Sequence, residues 1–227
     1  MAIDLSILDD ERFRDWIVDQ RWFGSKAREV AQIDVAECVA LREEPPQLAL
    51  ALVEARFGEG THETYQVLLG LRPAADGWSD RVIVETDAVT VYDALADPAC
   101  GRELLHRMRS GSEKTEGEGT LRFRWADSAA AGLGGTVDVR PVGAEQSNSS
   151  IVFGEALILK AFRRVEPGIN PDLELLRFLS ERGFPNIAAP AVSAQRKRSV
   201  PSSSVSSEPL RIRCRSSRPH AGSASAS

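Results

Sequence analysis

Three short apolar runs decide the fold of the second half of the sequence: Val137-Asp-Val-Arg-Pro-Val142, Ile151-Val-Phe153 and Leu157-Ile-Leu-Lys-Ala-Phe162. The polar segment Gly143-Ala-Glu-Gln-Ser-Asn-Ser-Ser150 separates the first two runs, and the turn Gly154-Glu155 separates the last two. Short apolar runs bounded by polar and glycine-containing segments are typical of β-strands. The sequence therefore predicts three strands, with a polar loop between the first pair.

A helix is predicted directly after these strands. Asn170 is suited to cap it, Pro171 fits the first helical position, Asp172 complements the helix dipole, and Gly183 follows the end. Strand, loop, strand, strand and helix is the element order of a protein-kinase small lobe. In that lobe a strand lysine meets the nucleotide phosphates and a glutamate on the helix holds the lysine.

Lys160 and Glu174 are the candidates for this lysine and glutamate. Strand alternation places Ile158, Lys160 and Phe162 on one face, so the ammonium group projects among apolar side chains. That arrangement suits a phosphate beside an apolar adenine pocket. The alternative for Lys160 is an edge or snorkelling residue, and Glu174 has Arg177 as a local partner. Spacing alone leaves both alternatives open.

The polar loop is a second candidate for phosphate binding, through Gln146, Ser147, Asn148, Ser149 and Ser150. It lacks the glycines of a Walker A motif or a dinucleotide fingerprint. Hydroxyl groups, the amide groups and backbone N–H groups in a polar turn nevertheless suit phosphate oxygens. A solvated hairpin loop is the alternative.

The first half of the sequence predicts a helix over about 7–20, followed by an antiparallel sheet. Four apolar or alternating runs form that sheet, separated by Pro, Gly and Asp clusters. They are Ile33–Leu41, Leu48–Phe57, Tyr65–Leu71 and Arg81–Val84. Helix and sheet together make a small α+β unit that ends near residue 90.

The segment between the two halves is less regular. Leucine and methionine spacing predicts helical turns from Tyr92 to Arg109. The polar stretch Ser110–Gly119 is predicted to be a mobile surface loop, and Leu121–Trp125 a short strand.

The charge is distributed unevenly along the chain, whose net charge is −5. Residues 191–227 contain seven Lys and Arg residues, one acidic residue and twelve Ser residues. This composition predicts a disordered tail, because it offers too few large apolar side chains for a core. The acidic remainder argues against a nucleic-acid partner, since binding a phosphate backbone requires clustered cations.

Targeting signals and cysteine spacing give little further information about the function. No run of about 18 apolar residues and no secretory signal pattern occurs, which predicts a cytoplasmic chain without a membrane span. The three cysteines Cys38, Cys100 and Cys214 are widely spaced and include no CxxC pair. Neither a disulfide framework nor a zinc site is expected.

Four motifs resemble those of the maltokinases of bacterial α-glucan metabolism, which are similar to aminoglycoside phosphotransferases in their kinase part. They are Arg21-Trp-Phe-Gly-Ser-Lys-Ala-Arg28, Glu145-Gln-Ser-Asn-Ser-Ser-Ile-Val-Phe153, Leu157-Ile-Leu-Lys-Ala-Phe-Arg-Arg164 and Glu166-Pro-Gly-Ile-Asn-Pro-Asp-Leu-Glu174. The resemblance implies an α+β chain with a cap domain at 1–88, an intermediate subdomain at 89–136, and a kinase-like nucleotide-binding small lobe at 137–190. The tail at 191–227 lies outside it.

The resemblance also implies an activity. Such enzymes use ATP and Mg²⁺ to convert maltose into maltose 1-phosphate for glycogen biosynthesis. On this basis Lys160 is the phosphate-binding lysine, Glu174 its ion-pair partner, and residues 146–150 the phosphate loop. Trp22 and Phe23 belong to the cap, where a buried aromatic pair is expected and sugar stacking is the alternative.

The sequence departs from the family after Pro190, because it contains no His-Gly-Asp or Asp-Phe-Glu type motif for catalysis and metal binding. No catalytic residue and no metal ligand is therefore assigned. We expect a truncated or frameshifted product that is inactive alone and exposes apolar side chains normally covered by the large lobe, namely Leu175, Leu176, Phe178 and Leu179. The alternatives are a non-catalytic module that binds a glucan or trehalose-pathway enzyme such as trehalose synthase, and an independent ATP sensor.

Overall fold

The computed structural model describes residues 5–116, 119–125, 137–142, 148–155, 157–166, 168, 170–184, 190–198 and 205–214. Its helices are α1 (Glu11–Asp19), α2 (Pro98–Arg109) and α3 (Pro171–Glu181). Short 3₁₀ turns occupy Leu5–Asp9, Ala74–Asp76 and Ala94–Ala96. The strands are β1 (Val30–Arg42), β2 (Gln47–Phe57), β3 (His62–Pro73), β4 (Val82–Glu85), β5 (Val89–Asp93), β6 (Glu113–Glu116), β7 (Gly119–Trp125), β8 (Val139–Val142), β9 (Asn148–Phe153), β10 (Leu157–Phe162), β11 (Arg164–Val165), β12 (Pro190–Arg198) and β13 (Val205–Cys214).

Two antiparallel sheets organise these strands. The first sheet has the order β1-β2-β3-β5-β4, and β11 pairs with the start of β3. The second sheet has the order β6-β7-β12-β13-β10-β9-β8. The chain thus is a mixed α and β fold with antiparallel sheets, as predicted.

The first sheet is covered on both faces, which explains why β2 is almost continuously apolar. Leu48 and Leu50 of β2 pack into one core, together with α2 and strands of the second sheet. Ala49, Ala51 and Val53 point the other way and pack with α1. Successive side chains of a strand alternate between faces, so a strand between two cores needs apolar residues at nearly every position.

The predicted four-strand unit is confirmed in outline and extended by one strand. The helix expected over 7–20 is divided into the 3₁₀ turn at Leu5–Asp9 and α1, which Asp10 caps by accepting from the Arg12 N–H at 2.8 Å. The additional strand β5 continues the first sheet to Asp93, beyond the boundary predicted at residue 88. The following helix α2 begins at Pro98 rather than at Tyr92, which belongs to β5.

Two predictions of irregular structure are wrong. The stretch Ser110–Gly119, expected to be a loop, contains β6 and the start of β7. Its hairpin is held by polar pairs across the strands: Glu113 to Arg122 at 2.8 Å, and the hydroxyls of Thr115 and Thr120 at 3.1 Å. Polar pairs of this kind stabilise sheets without any apolar periodicity.

The tail expected to be disordered also contains strands, because β12 and β13 lie between β7 and β10 in the second sheet. Residues 199–204 and 215–227 lie outside the described part of the chain. In β13 the apolar residues Leu210 and Ile212 alternate with Arg211 and Arg213, which is a strand pattern. The serine-rich composition of the whole tail concealed it.

A buried polar cluster connects the first sheet to α2. Asp97 caps α2 by accepting from the Ala99 N–H at 2.8 Å, and it also accepts from the Tyr92 hydroxyl and the Arg72 guanidinium, both at 2.7 Å. Burial favours the neutral acid, but these hydrogen bonds outweigh it and lower the pKa of Asp97. Burial raises the pKa of the neighbouring Cys100 thiol to about 12.

Replacing Asp97 by Asn is expected to destabilise the fold by about 2 kcal/mol at pH 7, because the charged acceptor of Tyr92 and Arg72 is lost. Since the folded pKa of Asp97 lies below its ordinary value of 3.8, the carboxylate stabilises the fold above that pH and ceases to do so as the pH falls further. Urea unfolding at several pH values should therefore find wild type and Asp97→Asn converging in acid. The exposed Asp80→Asn variant is the control, and a pH-independent difference would contradict the account.

Candidate functional site

The β9–β10 hairpin brings several of the predicted site residues together. In its register Ser150 lies opposite Lys160, and Asn148 lies opposite Phe162. Directly opposed residues of antiparallel strands share a face, with Cβ atoms about 5 Å apart. Asn148, Ser150 and Lys160 are therefore neighbours on one face of the second sheet, which we call the Lys160 face.

The alternation predicted for β10 is confirmed by its burial. Leu157, Leu159 and Ala161 are buried in the core, whereas Ile158, Lys160 and Phe162 are half-buried on the opposite face. Lys160 thus lies between two apolar side chains. The backbone register of β10 also pairs Lys160 with Arg211 of β13, so the lysine is on an inner strand of the sheet and not at an edge.

The predicted phosphate loop is only partly described. Gln146 and Ser147 lie outside the described residues. Asn148, Ser149 and Ser150 are the first residues of β9 rather than part of a loop, because pairing with β10 overrides their weak strand propensity. The side chain of Ser150 is buried, and its Oγ has no hydrogen-bond partner among the described residues.

Glu174 lies on a different element from this hairpin. It is an exposed residue of α3, and its backbone N–H donates to the Asn170 carbonyl at 3.2 Å. The helix begins at Pro171 as predicted, and it lies against β12.

The residues that sequence reasoning missed, Arg163 and Asp93, meet just after the end of β10. The guanidinium of Arg163 donates from Nη2 to Asp93 Oδ2 at 2.5 Å and from Nε to Ser149 Oγ at 2.9 Å. The side chains of Arg163 and Asp93 are only 1% and 5% exposed. We call this buried group of Asp93, Ser149 and Arg163 the junction, because it joins β5 of the first sheet to the β9–β10 hairpin of the second.

Contacts of Gln66 and Trp22 strengthen the same connection. The Gln66 N–H donates to the Arg163 carbonyl at 2.7 Å, and its Nε2 donates to the Phe162 carbonyl at 2.6 Å. The Arg163 guanidinium also lies 5.2 Å from the centre of the Trp22 ring, within the range of a cation–π contact. The end of β10 is therefore fastened to the first sheet from several directions.

A second cluster beside the junction is built around the buried carboxylate of Glu63. It accepts from the Tyr65 hydroxyl at 2.6 Å and from the Ser25 hydroxyl at 2.9 Å, and lies 3.3 Å from the guanidinium of Arg164. Burial favours the neutral acid, but these hydrogen bonds and the charges of Arg164 and Arg28 lower the pKa of Glu63. Burial and the bond to Glu63 raise the pKa of Tyr65.

Two of the sequence motifs thus meet in the structure. Trp22, Ser25 and Arg28 come from the first motif, and Arg163 and Arg164 end the third. Trp22 and Phe23 are buried and pack on Tyr65, with ring centres 5.7 and 5.1 Å apart. The expected buried aromatic pair is confirmed, and the motif residues join the two sheets.

A groove is a further candidate binding site in the described part of the chain. A groove of about 880 Å³ lies between the N-terminal 3₁₀ turn and the end of β3, lined by residues that include Ile7, Asp9, Leu71 and Arg72. No group of three His, Cys, Asp or Glu side chains suited to a metal was found among the described residues. None of the described helices is long and apolar enough to cross a membrane.

A comparison with known protein families gives a match to the part of the chain that contains the first sheet and the end of α1. Residues 16–97 match a family model described as the maltokinase N-terminal cap domain. The match runs from within α1 through all five consecutive strands of the first sheet to Asp97, the cap of α2. It covers Trp22, Glu63 and Asp93 but not the β9–β10 hairpin. The match supports the predicted cap and relates the chain to maltokinases.

Proposed function

We propose that this chain supplies the cap and the nucleotide-facing strands of a maltokinase-related protein, which transfers the γ-phosphate of ATP to the anomeric hydroxyl of maltose in glycogen biosynthesis. The match of residues 16–97 to the maltokinase cap domain carries the proposal. The Lys160 face extends it, because the junction fastens β9 and β10 to that cap.

The residues of the Lys160 face fit the triphosphate and base of ATP. The half-buried Lys160 beside Ile158 and Phe162 offers a positive charge next to an apolar surface, where charge attraction is stronger than in water. Ser150 and Asn148 on the same face add hydrogen-bonding groups for phosphate oxygens. The nucleotide would bring the phosphoryl group that is transferred.

No group of three or more His, Cys, Asp or Glu side chains suited to a metal lies among the described residues, so we assign no residue to Mg²⁺. The 227 residues also contain neither a His-Gly-Asp nor an Asp-Phe-Glu type motif to position the sugar hydroxyl and bind the metal. We therefore assign this chain weak nucleotide binding and no phosphoryl transfer on its own. Glu174, which is exposed on α3, is proposed as the ion-pair partner of Lys160.

Titration calorimetry with ATP and Mg²⁺ tests the nucleotide site. We expect Lys160→Ala to weaken binding by about tenfold, because one desolvated charge–phosphate contact is removed. The matched control is Lys26→Ala, since Lys26 is an exposed lysine of the cap that donates to the Asp19 carbonyl. Equal losses in both variants would indicate nonspecific charge attraction and would contradict the proposed site.

A coupled assay for ADP release tests the second part of the proposal. With ATP, Mg²⁺ and maltose present, the chain should release ADP no faster than it does without maltose. Maltose-dependent release that is abolished by Lys160→Ala would show that this chain contains its own catalytic groups, and would overturn the assignment of an inactive chain.

A second candidate function is an interaction module for a glucan or trehalose-pathway enzyme such as trehalose synthase. It is favoured by the apolar surface of α3 and the residues after it, where Leu175, Phe178 and Phe184 are 57%, 46% and 56% exposed. Of the four residues predicted to be exposed, Leu175 and Phe178 are exposed, whereas Leu176 and Leu179 are half-buried. Co-elution with purified trehalose synthase that is lost in Phe178→Glu, but retained in the neighbouring Arg177→Glu, would favour this function.

A further inference from the structure

We propose that Arg163 is a positioning residue for the Lys160 face: it holds Asp93 of the cap and Ser149 of β9 together, and so makes the placement of the nucleotide-facing hairpin depend on the cap. The inference rests on the proposed nucleotide role of that face. It also assigns Ser149 to the junction instead of to direct phosphate contact.

The geometry of the guanidinium supports this role. Two different nitrogens of one planar group bind two different elements, Nη2 to Asp93 at 2.5 Å and Nε to Ser149 at 2.9 Å. A planar donor group that is held at two points fixes direction as well as distance. Asp93 is itself fixed, because its Oδ1 accepts from the Leu95 N–H at 3.2 Å. The position of β9 is thereby tied to the turn that precedes α2.

Ser149 and Ser150 have different surroundings although they are adjacent. Ser150 lies opposite Lys160, whereas Ser149 lies opposite Ala161, whose side chain is buried in the core. The hydroxyl of Ser149 accordingly points to Arg163 and away from the Lys160 face. A displacement of Arg163 would move Ser149 and, through the shared backbone, Ser150 beside Lys160.

The energetics of the buried ion pair between Asp93 and Arg163 agree with a positioning role for Arg163 better than with a purely stabilising one. A buried ion pair gains little net stability over apolar side chains of similar volume, because both charges lose their hydration. Arg163 also retains a buried Nη1 with no hydrogen-bond partner among the described residues, which adds a cost. Apolar side chains in place of this ion pair could supply similar stability, but they would not fix the orientation of β9 relative to β5.

A thermodynamic cycle on Mg·ATP binding tests the inference. Ser149→Ala is measured in the wild-type chain and in the Asp93→Asn/Arg163→Met variant, which removes both charges together. If Ser149 acts through Arg163, its removal should weaken binding about fivefold in the wild type and less than about twofold in the double variant. Ser112→Ala serves as the control, since Ser112 donates to the Arg107 carbonyl away from the hairpin.

Equal losses in both backgrounds would mean that Ser149 touches the phosphates directly, which would overturn the inference and leave the nucleotide site intact. If the wild-type chain binds no Mg·ATP, the proposed function fails. The coupling between the cap and the β9–β10 hairpin is then measured by hydrogen exchange instead. In wild type the amides of β3 and β10 should then become exposed in one common opening, and in the double variant β10 should open separately. Unchanged common opening in the double variant would contradict the coupling.

Discussion

Replacing Gly70 by Ala should destabilise the folded chain by about 3 kcal/mol, the upper end of the usual cost of overpacking. Gly70 lies within β3, and a Cβ atom there would be 2.3 Å from Cε2 and 2.4 Å from Cζ of Tyr92. The ring has little freedom to move away, because its hydroxyl donates to Asp97 at 2.7 Å and its face packs on Trp78 with ring centres 4.8 Å apart. Urea unfolding of the variant measures the loss.

Gly24→Ala is the matched control for this variant. Gly24 belongs to the Trp-Phe-Gly motif, yet a Cβ atom at that position has no neighbour within 4 Å. Its substitution should leave the free energy of unfolding within about 0.5 kcal/mol of wild type. Comparable losses at Gly24 and Gly70 would show that the Tyr92 contact does not decide the outcome.

Replacing Arg163 by Met alone should cost about 3–5 kcal/mol, because the buried carboxylate of Asp93 is left without its cation. The side chain of Asp93 is 5% exposed and cannot regain full hydration without opening the contact between the two sheets. Adding Asp93→Asn should recover most of this loss, since it removes the stranded charge and keeps the amide oxygen that caps Leu95. Denaturant unfolding of the three proteins gives the comparison.

The adjacent residue supplies a control with the same change of side chain. Arg164 is 53% exposed and lies 3.3 Å from Glu63, so Arg164→Met should cost no more than about 1 kcal/mol, as for other partly exposed ion pairs. If Arg163→Met and Arg164→Met proved equally stable, the buried pair would not hold the hairpin to the cap as described.

The sequence predicts those parts of the fold whose signals are local. The strands β1 to β4 of the first sheet follow from their apolar or alternating runs, and α3 follows from Asn170 and Pro171 at its start. The strand β7 was predicted over Leu121–Trp125, whereas β6 escaped prediction because polar pairs such as Glu113 with Arg122 stabilise it. The strand β13 escaped because the composition of the whole tail conceals a short alternating stretch.

The sequence predicted how the candidate-site residues alternate along β10, but not which residues from distant parts of the chain contact the end of this strand. Side-chain alternation placed Lys160 correctly beside Ile158 and Phe162. The pairing of Asp93 with Arg163 joins residues 70 positions apart, and a single sequence has no periodicity that connects such distant positions. The motif ending at Arg163 and Arg164 did mark the region, but which residue each arginine meets depends on how the two sheets pack.

Hydrogen exchange of the whole chain with and without Mg·ATP tests most directly the claim that the Lys160 face is the nucleotide site of a maltokinase-related protein. The account predicts slower amide exchange in β9 and β10 on addition of nucleotide, with a smaller effect at the cap residues Gln66 and Asp93 that the junction connects to them. Protection confined to the groove between Ile7 and Arg72, or no protection anywhere, would contradict it.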